Sequence, residues 1–122
     1  MPTKTKSVYE HPSDTDGIRV LTTQYWPRGI KKALVDEYIR KLAPTRALLH
    51  EFKAGEISWD NYKARYLEEI NNPEAEKELD RLRNLASEAT ITIMCVCKEE
   101  SQCHRSLLKT IIDSSLPRDR VK

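Results

Sequence analysis

Apolar and polar positions change period several times along this chain, and the longest unbroken apolar stretch comes late. Residues 91–97 read Ile91, Thr92, Ile93, Met94, Cys95, Val96 and Cys97, the β-branched and apolar composition of a strand buried on both faces. Residues 98–102 are polar, and then Leu107, Leu108, Ile111 and Ile112 restore a helical spacing that ends near Pro117. A buried strand, a tight loop and a helix start would leave backbone N–H groups converging on one spot. The same alternation, weaker, predicts strands at Ser7, Val8 and Tyr9 and at residues 18–23, separated by the turn residues 11–17.

Between these strands the period is helical. Leu34, Val35, Tyr38, Ile39 and Leu42 predict a helix from Lys31 that Pro44 stops. Thr45 caps a short helix through Leu48, Leu49 and Phe52, closed by Gly55. Ser58 caps the next, with Trp59, Tyr62, Tyr66, Leu67 and Ile70 on one stripe. Asn72 followed by Pro73 opens a further helix carrying Ala75, Leu79, Leu82, Leu85 and Ala86. The reading is α/β: one domain over residues 1–122, a small mostly parallel sheet of three to four strands covered by about five helices.

Composition narrows the function. A net charge of +2 is nearly balanced, which argues against a dedicated nucleic-acid binder. No apolar run is long enough for a membrane span, and three cysteines within nine positions do not form a secreted disulfide framework. The expected setting is cytoplasmic.

The chemistry concentrates after the strand at residues 91–97. Free N–H groups at the helix start, with Arg105, Lys98 and Arg28 brought alongside, would hold a small anionic or phosphate-bearing ligand. This requires the least special geometry and ranks first. Arg28 would sit at the tip of a tight loop, because Pro27 biases Trp26 to an extended conformation and Gly29 permits a left-handed turn. Trp26 and Gly29 would then flank the ligand. Cys103, in the first turn of a helix that Ser101 is placed to cap, has His104 and Arg105 as neighbours that favour a thiolate, and His104 could act as acid or base. The alternative is a metal-binding or redox-sensing site, with Cys97, Cys103 and His104 as ligands for zinc or iron. A third reading is a non-enzymatic interaction module with structural cysteines. Cys95 reads as core packing, and His11 and His50 as isolated surface residues.

Asp16, Gly17, Ile18, Arg19, Val20 and Leu21, then Trp26, Pro27, Arg28 and Gly29, then Leu42, Ala43, Pro44 and Thr45, resemble domain-of-unknown-function family 488, the YeaO-like proteins. Trp59 with Tyr66, and Cys103, His104 and Arg105 after a strand ending in cysteine, agree with it. The resemblance implies a compact α/β domain and carries no established activity. Gln24 stands where the family commonly has arginine, Tyr38 where it has tryptophan, and Leu49 where an arginine often follows.

Overall fold

The computed structural model describes residues 3–96 and 103–113. Its strands are β1 (Lys4–Ser7), β2 (Ile18–Leu21), β3 (Glu37–Tyr38) and β4 (Ile91–Cys95), and its helices α1 (Arg46–Lys53), α2 (Trp59–Glu69), α3 (Pro73–Glu88) and α4 (His104–Asp113). All strand pairs are parallel, in the order β1-β4-β2-β3. Strand β4 lies between β1 and β2, and all five of its residues are buried, as its unbroken apolar composition requires.

Alternation along β4 divides the core. Ile91 and Ile93 join Val20 and side chains from all four helices, including Leu48, Tyr62, Tyr66, Leu79, Leu82 and Leu108. Met94 points the other way and packs with Leu21 and Val8 against Ile30, Val35 and Tyr38. Cys95, two residues beyond Ile93, therefore falls on the helix side of the sheet.

The three helix starts predicted from capping residues are all present. The Thr45 hydroxyl accepts from Leu48 N, the Ser58 hydroxyl from Asn61 N, and the Asn72 side chain from Ala75 N. Tyr66, fully buried on α2, donates its hydroxyl to the Leu42 carbonyl at 2.6 Å, and burial pushes its phenol pKa well above the ordinary value. We expect Tyr66→Phe to cost about 1–2 kcal/mol by leaving that carbonyl unmatched, read as a lower urea midpoint at unchanged slope. An unshifted midpoint would contradict the contribution assigned to this bond.

Two sequence expectations require correction. The helix expected from Lys31 to Pro44 is absent. Single-turn 3-10 helices at Lys32–Leu34 and Arg40–Leu42 flank β3, which pairs with the open edge of β2. Asp36 N donates to Arg19 O at 2.9 Å, and Ile39 N to Leu21 O at 2.8 Å, so this segment satisfies backbone groups that a helix would leave orphaned. The helical spacing of Leu34, Val35, Tyr38, Ile39 and Leu42 reflects two different burial sites, Val35 and Tyr38 on one side of the sheet and Ile39 and Leu42 on the other. The four α-helices among the described residues are one fewer than expected for this reason. The first strand begins earlier, at Lys4, and Val8 contributes only the last rung, Val8 N to Cys95 O at 2.8 Å. Tyr9 and Glu10 belong to the turn that follows, where Glu10 N donates to Ser7 O.

Candidate functional site

Strands β2 and β4 end side by side, Leu21 opposite Met94, so the segments leaving them meet at the carboxyl end of the sheet. Thr22 adds a rung to Met94 O at 3.0 Å, and from there residues 22–30 turn away from the sheet. Thr23 donates its hydroxyl to Tyr25 O, and the Trp26 indole donates to Ile30 O at 2.7 Å while its ring meets Tyr38 edge-on at 5.4 Å. Gly29 has φ +82, the left-handed turn expected of it. Arg28 stands exposed at the tip, its carbonyl accepting from the Tyr9 hydroxyl.

Across from these residues at the same end of the sheet, Cys95 ends β4 while Cys103 and His104 open α4. Cys97 and Lys98, together with the capping position Ser101, lie outside the described residues. The sulfurs of Cys95 and Cys103 are 2.9 Å apart, and Arg105 Nη1 donates to the Cys95 sulfur at 3.1 Å. His104 Nε2 is 2.7 Å from the Thr22 carbonyl oxygen and 3.0 Å from the Thr22 hydroxyl. A carbonyl can only accept, so Nε2 carries a proton; in the neutral imidazole Nδ1 is then the acceptor, and it faces the Cys103 sulfur at 3.6 Å. Tyr66 meets the imidazole edge-on at 5.6 Å. Cys95, Cys103, His104 and Arg105 are each at most 3% exposed.

In front of the cluster lies a cavity of about 180 Å³. Cys95, Val96 and His104 form its floor, residues Thr23 to Pro27 one wall, and Pro44, Arg46 and Leu49 the other. The exposed Arg46 guanidinium lies 5.2 Å from the centre of the Tyr25 ring at its mouth. A wider groove of about 530 Å³ beside β3 has basic residues too, but its Arg81 is already paired with Glu37 and Glu78.

Of the residues nominated from sequence, Trp26 and His104 line the cavity; Arg28 and Gly29 sit at the exposed loop tip beyond it. Cys103 and Arg105 lie behind the floor. Arg28 and Arg105 do not share one hollow, because Arg28 is exposed at the tip while the Arg105 head turns inward onto Cys95. Sequence reasoning missed Arg46, Tyr25 and Thr22, and assigned Cys95 to packing alone. Arg46 left one signal: a cation in the first turn of a helix opposes the macrodipole, so its place serves something other than the helix.

Cys95, Cys103 and His104 also offer donor atoms that all lie within 4.8 Å of one another. Two thiolates on one tetrahedral zinc, with bonds of about 2.3 Å, would stand roughly 3.8 Å apart. The two sulfurs stand closer than that, at 2.9 Å, so a bound ion would have to part them by about an ångström.

A parallel α/β domain with a thiol, imidazole and guanidinium cluster beneath a small cavity at the carboxyl end of its inner strands is the class these features define. The chain belongs to the DUF488-N3a family, described as the active DUF488-N3 subclade, which matches residues 3–116. It is similar to the uncharacterised protein YeaO of Escherichia coli K12, 30% identical over 105 residues that span 84% of this chain and 90% of that protein. It is also similar to the uncharacterised protein Rv3073c of Mycobacterium tuberculosis H37Rv, 28% identical over 108 residues, 87% of this chain and 89% of the other. No solved structure matches it. No described helix is long and apolar enough to cross a membrane.

Proposed function

We infer that this is a cytoplasmic protein that binds a small anionic molecule in the cavity between the β2 loop and the start of α4, next to a reactive thiol. The observation that carries the reading is the placement of Arg46 at the mouth of a cavity whose floor is Cys95 and His104. Arg105, directly behind Cys95, adds a second positive charge beneath the floor. Pro27, Leu49, Tyr25 and Trp26 give apolar wall, so the fitting ligand has an apolar body and one phosphate or carboxylate group. The thiol and imidazole are then within reach of the bound molecule, an arrangement suited to nucleophilic or acid–base chemistry. Membership of a subclade described as active supports an enzymatic role.

Thermal melting with phenyl phosphate tests this. At roughly tenfold excess over its Kd the ligand should raise the wild-type midpoint by about 5 °C, and Arg46→Gln should lose most of that shift. Arg46 is exposed, so the substitution leaves the fold intact. Equal stabilisation of both proteins, or of neither, would contradict the reading.

A further inference from the structure

The binding reading makes no use of Cys103, which is buried behind Cys95 and presents nothing to the cavity. Its sulfur nevertheless lies 2.9 Å from that of Cys95, inside the ordinary non-bonded separation of about 3.5–4.0 Å between heavy atoms. Closing to a covalent S–S bond of about 2.05 Å requires the two side chains to move by less than an ångström. We propose that Cys95 and Cys103 form a two-electron dithiol–disulfide couple that reduces small hydroperoxides entering through the cavity.

The geometry assigns the order of events. Cys95 is the cysteine on the cavity floor and the one that receives the Arg105 N–H, so it is the attacking sulfur. Its sulfur bonds to the terminal oxygen of ROOH, the O–O bond breaks, and the thiol proton leaves with the alkoxide as ROH. Cys95 is then a sulfenic acid. Cys103 attacks that sulfur from behind, forming the disulfide and breaking the S–O bond. His104 Nδ1, which faces the Cys103 sulfur, takes its proton and passes it to the departing hydroxide, giving water. The two thiols lose two protons and two electrons, and the peroxide gains them. A soluble dithiol reduces the pair again by exchange. The size of the cavity, about 180 Å³, limits the substrate to a small peroxide and keeps large disulfides from Cys95.

The test uses the full chain and its Cys95→Ser, Cys97→Ser and Cys103→Ser variants, treated with hydrogen peroxide, quenched with an alkylating agent and digested with trypsin. Cleavage after Arg83, Lys98 and Arg105 places Cys95 and Cys97 in one peptide and Cys103 in the next. Wild type and Cys97→Ser should give the two peptides joined by a disulfide. Cys103→Ser should instead accumulate a sulfenic acid at Cys95 that dimedone traps, and Cys95→Ser should give neither product. Peroxide consumption by wild type should exceed that of free cysteine by at least about tenfold at the same pH and should turn over with added dithiol.

Loss of the cross-link in Cys97→Ser, thiols that all remain alkylatable on unfolding after peroxide, or a rate no greater than that of free cysteine would each overturn the proposal. So would one equivalent of zinc that co-purifies and blocks the oxidation. The inference uses the cavity but not its anion selectivity, and the two fail separately. Arg46→Gln should keep the cross-link while losing the phenyl phosphate shift, whereas Cys103→Ser should keep the shift and lose the cross-link.

Discussion

Gly17→Ala should lower the melting midpoint by roughly 10 °C, the equivalent of about 3 kcal/mol in a domain of this size. Gly17 joins a single-turn 3-10 helix, Asp14–Asp16, to β2, and its backbone, φ 67 and ψ −134, lies where residues with a Cβ are strained. An added Cβ would collide with the Thr90 carbonyl, the same oxygen that accepts the first β2 bond from Ile18 N at 2.9 Å. The substitution therefore strikes the register that sets Ile18 opposite Ile91 and Leu21 opposite Met94. Thr22 meets His104 because of that register. Gly55 is the control: it has φ +78, but nothing lies within 4 Å of a Cβ built there. Gly55→Ala should cost only about 1–2 kcal/mol, the backbone strain alone. Equal losses in the two variants would show that the Thr90 collision contributes nothing.

Asp16→Asn should be similarly damaging at neutral pH and much less so in acid. Asp16 is buried, and its carboxylate accepts from Lys6 Nζ at 2.9 and 3.0 Å and from Ser13 N at 3.0 Å, with Arg19 Nη1 against it. Burial alone would raise its pKa, but the Lys6 and Ser13 hydrogen bonds and the Lys6 and Arg19 charges outweigh it and hold the group below its ordinary value of 3.8. A carboxyl depressed on folding contributes stability that is complete above its unfolded pKa and is lost as pH falls through the folded one. Removing the charge at pH 7 leaves buried Arg19 uncompensated, a loss of about 3 kcal/mol. Urea midpoints of wild type and Asp16→Asn should lie far apart at pH 7 and draw together below pH 4. A gap that stays constant down to the acid end would contradict this assignment.

The elements legible in the sequence were those whose signals are local. Thr45, Ser58 and Asn72 announce their helices because a cap acts within three residues, and the composition of β4 announces its burial because both faces need apolar side chains. Strand β3 was illegible because the partner that makes it a strand, β2, is some seventeen residues earlier: Val20 opposite Glu37 and Leu21 opposite Tyr38. Long-range hydrogen bonds overrode a spacing that looked helical.

The site divides in the same way. The junction from β4 to α4 on which the candidate site is built was readable from the change of period, and so was the Gly29 turn. Which cysteine meets Cys103 was not readable. Strand alternation places Cys95 on the helix face without saying how far Cys103 reaches back to it. Arg46 is one cation among many on a highly charged surface until the fold sets it beside Tyr25 and above His104.

The central claim is that the cavity floored by Cys95 and His104 receives a small anion. A crystal of the wild-type protein soaked in phenyl phosphate measures it most directly. The ligand should be found inside the cavity, its phosphate bonded to the Arg46 guanidinium and its ring against Tyr25 and Trp26. Phosphate bound only at exposed lysines, with nothing between Arg46 and the cavity floor, would contradict the account.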